Sequence, residues 1–495
     1  MAKLKGLVEE RINKLKNLRA AGIDPYGGRY EMSQTIKEAI THFEEGRKVS
    51  LCGRIMALRS HGKAKFLDLW DAMGKVQVYI KKDVVGEERF DLFTNIDIGD
   101  FIGVKGTLFM TRTHEPTVKV EEFTILAKSL RPLPEKWHGL KDVETRYRQR
   151  CIDLIANKKV KEIFLTRTKI IGEIRRFLDD HGYAEVETPI MQPIPGGATG
   201  RPFRTHHNVF DIDLYLRIAP ELYLKRLIVG GFERIYEINK SFRNEGISTR
   251  HNPEFTMLEV YQAYADYTDM MRLTQELITH VAREALGKLE FEFKGNVIDL
   301  SRWERRSFAE MMKDAYGITP DEEIEGWVEK LRKKGVKLEG PTISRSQVIN
   351  IIGELLEPEV TSHPVFVTDL FAELCPLAKR KPDNELLTER FELFIGGLEI
   401  ANAYSELNDP IEQRERFENQ ARELRSQGEL ESQEIDEDFV RALEYGMPPA
   451  GGLGIGIDRL VMVLTNSDSI RDVILFPQLR PEGQGEAIVI QRSEE

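Results

Sequence analysis

"RIYEINKSFRNEGISTRHNPEFTMLEVYQA", residues 234–263, is the stretch on which the fold of this chain turns. It reads as two strands joined by a loop that crowds Arg243, Glu245, Arg250 and His251 together. Alternate side chains of a strand share a face. Glu237, Asn239, Ser241, Arg243 and Glu245 therefore form one row, and Phe255, Met257, Glu259, Tyr261 and Ala263 another. A hairpin sets the rows side by side. An arginine fork suits a carboxylate or phosphate. An exposed Phe255 can stack on a base, and Arg250 and His251 can reach a polyphosphate. The pair of rows has parts for an adenine, a phosphate and a small charged ligand. A salt-bridged hairpin surface shows the same alternation, so the hairpin alone leaves both readings open.

Two later stretches add weight. Glu392 and Glu399 flank "IGG", and Asn402, Tyr404 and Glu406 alternate onto one face. Carboxylates with little basic compensation nearby suit Mg²⁺, which takes one or two of them plus substrate phosphates. Glu399 is out of phase with Asn402, so either a bulge intervenes or Glu399 serves another part of the site. "GGLGIGIDRL", residues 451–460, offers open backbone at a helix start, where anions bind, with Arg459 beside it. The same glycines could instead let a helix pack against a strand. Arg459 stands where a dinucleotide fingerprint needs its last glycine, and no G-x-x-x-x-G-K-[ST] occurs, which excludes a P-loop kinase.

The rest of the chain frames these pieces. Its 495 residues, 41% hydrophobic and 31% charged, are too many for one core and ordinary for a globular protein. No apolar run approaches the ~18 residues of a membrane span. The start has no apolar signal segment, so a cytoplasmic protein with no membrane partner is expected. Cys52, Cys151 and Cys375 are too scattered for a zinc knuckle or a disulfide framework. Residues 1–150 hold 28 Lys and Arg against 21 Asp and Glu, although the whole chain carries −11. A basic front on an acidic body points to a polyanionic partner.

Leu4, Leu7, Val8, Ile12, Leu15 and Leu18 predict an amphipathic basic helix, which could dock on a neighbour or touch nucleic acid. Five short strands follow between Val49 and about Leu130, the pattern of a small OB-type barrel that binds single-stranded nucleic acid. Phe66, Asp68 and Trp70 share a strand face there; Phe66 is either core or a base-stacking platform. "RPLPEKWHGL", residues 131–140, reads as a linker. A long helix is predicted over about 158–181, and a short one at "APELYLKRLIVGG". Helices dominate from about 268, and strands return at "ERFELFIGGLEIANAYSEL". The expected class is α+β with an antiparallel sheet flanked by helices. The expected domains are a helical extension (1–48), a barrel (49–135), a linker (136–150) and a second domain (151–495) with a helical insertion at about 268–385.

Three stretches in this order resemble the three motifs of class II aminoacyl-tRNA synthetases: "FLDDHGYAEVETPIM", "FERIYEINKSFRNEGISTRHNPEFTMLEVYQAYADY" and "GGLGIGIDRLVMVL". The N-terminal barrel is similar to that of the class IIb branch. "RYRQRCIDLI", "RIAPELYLKRL" and "SELND" resemble bacterial lysyl-tRNA synthetases, and the likeness runs along nearly the whole chain. Leu398, where some relatives have Arg, and "ANAYSEL", where the family is richer in glycine, depart from the pattern.

The resemblance implies an ATP-dependent ligase that joins lysine to tRNA(Lys), a homodimer, with Mg²⁺ as cofactor. Arg243 and Arg459 would be the catalytic cations. Glu245, His251, Asn252, Phe255 and Glu392 would join them around ATP. Gly197, Glu221, Glu259, Tyr261, Asn402, Tyr404 and Glu406 would join Arg243 around lysine. Glu392 and Glu399 would carry the metal. Arg59, Phe66, Gln77 and Glu122 would read the anticodon. An aspartyl or asparaginyl enzyme would want cations where this pocket offers Glu221 and Glu406. A non-catalytic RNA-binding paralogue would have lost ATP residues that are all present here.

Overall fold

The computed structural model describes residues 2–134, 140, 142–198, 200–338, 343–358, 361–426 and 435–481. The chain forms two compact units, Met1–Lys141 and Asp142–Glu495.

In the first unit, strands β1 (Lys48–His61), β2 (Ala64–Trp70), β3 (Lys75–Lys81), β4 (Phe101–Met110) and β5 (Pro116–Ala127) close into a barrel in the order β1-β2-β3-β5-β4. Alternation does the work: Leu67, Leu69, Val78, Val104, Val118 and Val120 are fully buried inside, while their neighbours face out. Closure brings backbones together at glycines. A Cβ on Gly53 would lie 2.4 Å from the Trp70 carbonyl oxygen, and one on Gly106 2.1 Å from that of Lys119. Helix α1 (Ala2–Ala20) docks through its second half, where Leu15 and Leu18 are buried and Arg11 donates to the carbonyls of Ile98, Ser129 and Arg131. Lys14 is held by Asp97 at 2.7 Å, so its charge is already used within the unit.

The second unit begins earlier than residue 151. A helix at Val143–Arg148 buries Tyr147, whose hydroxyl donates to Asp472, and Arg150 is buried against Asp153 and the Arg471 and Leu475 carbonyls. The expected linker at 136–150 is therefore confined to its first residues; 136–139 and 141 lie outside the described residues.

Its main sheet has eight strands: β6 (Ala184–Glu185), β7 (Arg234–Phe242), β8 (Glu254–Ala263), β9 (Glu304–Ser307), β10 (Val365–Thr368), β11 (Arg390–Ile395), β12 (Leu398–Ser405) and β13 (Ala450–Gly456). They run in the order β9-β10-β11-β12-β13-β8-β7-β6. The interior pairs are antiparallel, as expected, but both edge pairs, β9 with β10 and β7 with β6, are parallel. Leu258, Val260, Ala401, Ala403, Leu453 and Ile455 point from one face into a core shared with helices α2 (Lys158–Asp180) and α4 (Tyr267–Leu286). Helix α3 (Glu221–Val229) packs on the other face, through Leu222, Leu224 and Ile228 against Ile235 and Tyr261.

The helical insertion expected at about 268–385 is narrower. α4 belongs to the main core, the segment after it forms a hairpin (Glu290–Phe293 and Asn296–Asp299), and β9 and β10 are edge strands of the main sheet. Between those edges lie α5 (Phe308–Tyr316), α6 (Ile324–Lys333) and α7 (Arg345–Leu356), around a separate core with Trp327 at its centre. The strands were missed because each has only four residues, within a stretch dominated by helical periodicity.

Candidate active site

The opening hairpin forms with its two rows opposed. Glu237 faces Glu259, Asn239 faces Met257, and Ser241 faces Phe255. The next strand over, β13, is mostly glycine. Gly452 lies between Tyr261 and Tyr404, and Gly454 between Glu259 and Asn402. Two rows of polar side chains thus flank a strip of bare backbone, and a cavity of about 440 Å³ opens above it. A Cβ on Gly452 would overlap Glu406 Oε1 at 1.8 Å and approach the Tyr261 ring at 2.8 Å. The glycine run is the cavity floor as much as the start of helix α8 (Ile457–Leu464).

A register break between Leu393 and Phe394 settles the phase of Glu399. Leu393 pairs with Ala401 but Phe394 with Glu399, so Ile400 is the extra residue. Ile400 and Ala401 are both buried, and Glu399 turns to the same face as Asn402 and Tyr404.

Gly197, Glu221, Arg243, Glu245, His251, Asn252, Phe255, Glu259, Tyr261, Glu399, Asn402, Tyr404, Glu406 and Arg459 all line this cavity. Glu392 does not; it sits behind, its carboxylate held by Arg390 at 2.7 Å.

One end of the cavity is cationic. The Arg243 guanidinium lies 5.1 Å from the Phe255 ring centre, and its Nε is buried without a hydrogen-bond partner among the described residues. Arg459 donates to His251 Nε2 (3.1 Å) and to Glu399 (3.0 Å). Burial, then the Arg459 charge, holds His251 below the usual imidazole range. Asp458 fixes the start of α8: it accepts from the Thr256 amide at 2.7 Å and from Arg167 at 2.6 Å. Ser248 shapes the hairpin loop by accepting from the Arg250 and His251 amides.

The other end is anionic. Tyr404 donates to Glu221 at 2.6 Å, and Tyr261 to Glu259 at 3.2 Å. Burial and the nearby Glu221 push Glu259 up to about 8. Both carboxylate oxygens of Glu406 are buried, Oε1 without a hydrogen-bond partner among the described residues, and burial pushes the carboxyl up to about 8. Lys225, reaching in from α3, lies within ion-pair distance of Glu221 (2.8 Å) and of Glu406.

In the barrel, Leu67 and Leu69 form the core and Phe66 faces outward, 4.9 Å from Tyr79 in a row that continues to Phe109. Arg59 and Phe66 are paired across β1 and β2, and Arg59 is tied to Asp68 at 2.9 Å. Gln77 pairs with Asp68 and touches Glu115 and Thr117. Glu122 pairs with Lys105 across β4 and β5 and lies near Tyr30, whereas the acid beside Gln77 is Glu115.

Sequence reasoning missed Lys225, Arg390, Ser248, Asp458 and Glu115. Lys225 had a readable signal, since it follows Glu221 by one helical turn. Asp458 and Glu115 act through contacts distant in sequence, whereas Ser248 and Arg390 also bond residues two or three positions on.

Comparison with known proteins agrees with this geometry. The family described as tRNA synthetases class II (D, K and N) matches residues 142–480, and the OB-fold nucleic acid binding domain matches 49–126. The lysine–tRNA ligase of Pelotomaculum thermopropionicum is 57% identical over 97% of this chain and 96% of its own. That of Carboxydothermus hydrogenoformans is 55% identical over 97% and 99%, and that of Bacillus subtilis 51% over 96% and 97%. A barrel, a glycine-floored cavity with a cationic and an anionic end, and these likenesses together place the chain in the class II tRNA synthetase family, among the lysine–tRNA ligases.

Proposed function

We propose that this ATP-dependent ligase binds lysine at the anionic end of the cavity and ATP at the cationic end. A lysine–tRNA ligase first couples lysine to ATP as an adenylate with release of pyrophosphate, then passes lysine to the 3′ end of tRNA(Lys). The observation that carries the assignment is Glu406, a buried carboxylate whose Oε1 has no hydrogen-bond partner among the described residues. A substrate ε-ammonium would satisfy it, with Tyr261 beside it and Asn402 and Tyr404 lining the pocket. Gly197, Glu221 and Glu259 are then left for the α-ammonium.

Arg243 would bridge the lysine carboxylate and the α-phosphate. Its unpartnered Nε is a donor in want of such an anion. Phe255 would stack on one face of adenine and Arg459 on the other, while Glu245, His251 and Asn252 hold the rest of the nucleotide. Both reactants are negative, so Arg243 and Arg459 lower the cost of approach and meet charge as it develops. Positioning does the remainder, with no covalent enzyme intermediate needed.

Enzymes of this family generally need Mg²⁺. The donors present suit it. Burial pushes Glu392 up to about 7 even though Arg390 beside it acts the other way, with Glu399 and Glu357 adding negative charge, so the carboxyl gains from a further cation. Glu392 and Glu399 would hold the ion, which when bound neutralises phosphate charge.

The barrel's outer face, with Arg59, Phe66 and Gln77, would read the anticodon; Glu115 joins Gln77 there in the role first expected of Glu122. Homodimer formation is supported by exposed apolar side chains around the first motif: Leu165, Ile190, Met191, and Val209 (84% exposed) and Phe210 (70%) at the tip of a hairpin formed by Phe203–His207 and Ile212–Leu216. Sedimentation should report twice the 56.9 kDa chain mass. Residence in the cytoplasm follows from work on tRNA.

ATP–pyrophosphate exchange with each amino acid tests the assignment. Lysine should drive exchange, and leucine or methionine should be rejected by about 10⁴-fold, because they leave buried carboxylates unpaired. Equal exchange with aspartate would overturn it.

A further inference from the structure

Lys225 is fully buried, and its ammonium already stands between Glu221 and Glu406, in the pocket assigned above to a substrate ammonium. A like charge in such a place repels the substrate unless it does something more useful.

The surroundings say what that is. Facing this point are Glu221 from α3, Glu259 and Tyr261 from β8, Tyr404 and Glu406 from β12 and just beyond it, and Cys375 from a loop. The Phe439 ring lies 6.0 Å from the ammonium. Arg390 also lines the cavity, but it is held by Asn402 and Glu392. Arg217 faces Glu259 from its pair with Glu237. Two buried carboxylates, Glu221 and Glu406, therefore share Lys225 as their close cation. Buried carboxylates without counter-charge take up protons rather than stay ionised. A protonated Glu406 cannot grip an ammonium. Lys225 Nζ stands directly against Glu406 Oε2, whereas Glu406 Oε1 has no hydrogen-bond partner among the described residues. The lysine thus supplies charge to one side of the carboxylate and leaves the other oxygen open.

We propose that Lys225 is a positioning residue for substrate selection: standing between Glu221 and Glu406, it offsets part of the cost of ionising Glu406, so that less of that cost is left for a diammonium ligand. Lysine's two ammonium groups then complete a neutralisation that Lys225 begins. The proposal rests on the pocket assignment above and deepens it.

The test is Lys225→Met in ATP–pyrophosphate exchange, with lysine varied from pH 7 to pH 9. An opposite charge at this range eases ionisation of a carboxyl by a factor of about 10–1,000. At pH 7 the KM for lysine should rise by about 10-fold or more, with kcat and the ATP KM nearly unchanged. The excess should shrink as pH rises and the carboxylates ionise unaided. Lys225→Gln keeps a donor of similar length without the charge and should behave alike; it serves if the methionine variant does not fold. An unchanged lysine KM, or a rise equal at every pH, would overturn the proposal and leave Lys225 a packing residue. Glu406→Gln in the same assay separates the two levels. If it too leaves the lysine KM unchanged, the pocket assignment itself has failed.

Discussion

At the scale of the residue, the pocket links charge to pH. Glu259 and Glu406 sit near 8 because burial disfavours their ionised forms. Lysine needs them ionised, so below pH 8 binding must first expel protons. The lysine kcat/KM should therefore climb between about pH 6.5 and 8, by up to tenfold per pH unit for each proton expelled. It should fall again when the substrate's own ammonium groups deprotonate. Without ligand the sign for stability is opposite. Between the ordinary carboxylate range and 8 the folded state holds protons that the unfolded state has released, so the empty enzyme loses stability as pH rises. Lysine should then protect against heating more at pH 8 than at pH 6, and a thermal shift at the two values checks this. The metal end answers to a different titration. Glu399→Gln keeps shape and removes one charge, so exchange should weaken and be partly restored by raising Mg²⁺. Unchanged Mg²⁺ dependence would mean that Glu399 only braces Arg459, which it touches already. Most of these side chains were legible in the sequence because strand parity sorts them onto one face. Lys225 was only partly so: its turn-spaced partner Glu221 could be read, but its contact with Glu406, 181 residues on, could not.

At the scale of the element, the site exists because one strand gives up its side chains. β13 lies between β12 and β8 in the centre of the sheet, where a side chain at 452 would fill the cavity. Gly452→Ala would press its methyl group on Glu406 and Tyr261. Neither can retreat far, as both are almost wholly buried. Displacement on the scale of 1 Å costs a positioned site about 100-fold. The variant should fold, bind ATP, and need about 100-fold more lysine in exchange; a near-normal lysine KM would show that the floor is not where lysine sits. The glycine run was visible beforehand, but its meaning was divided between anion site and packing device. Only the register, which sets Gly452 and Gly454 opposite the polar rows, shows it as a floor. The bulge at Ile400 is the reverse case. Parity alone demanded either it or a separate role for Glu399, and the register break supplies it. What escaped were elements too short to carry a period, such as β9 and β10, whose place is fixed by neighbours rather than by their own four residues.

At the scale of the whole molecule, two cores mean two separable tasks. The barrel has its own buried cluster, and the catalytic sheet has others that share no residue with it. The sequence foretold this through its strand rhythm and its basic front, while the outward aim of Phe66 needed the pleat to be seen. A core aromatic would stand in phase with Leu67 or Leu69; Phe66 is out of phase with both. It stands in a ring row with Tyr79 and Phe109, with Arg59 across the ladder, an arrangement suited to stacking a base beside a cation. Phe66→Ala removes a platform and no core contact. The barrel should stay folded, and charging of tRNA(Lys) should weaken by about 1–3 kcal/mol, the worth of one stacked base. ATP–pyrophosphate exchange should not move, because the sites proposed for lysine and ATP lie in the other unit. Measured side by side, a fall in charging alone assigns Phe66 to the nucleic acid. An equal fall in both would mean that the ring supports the fold after all.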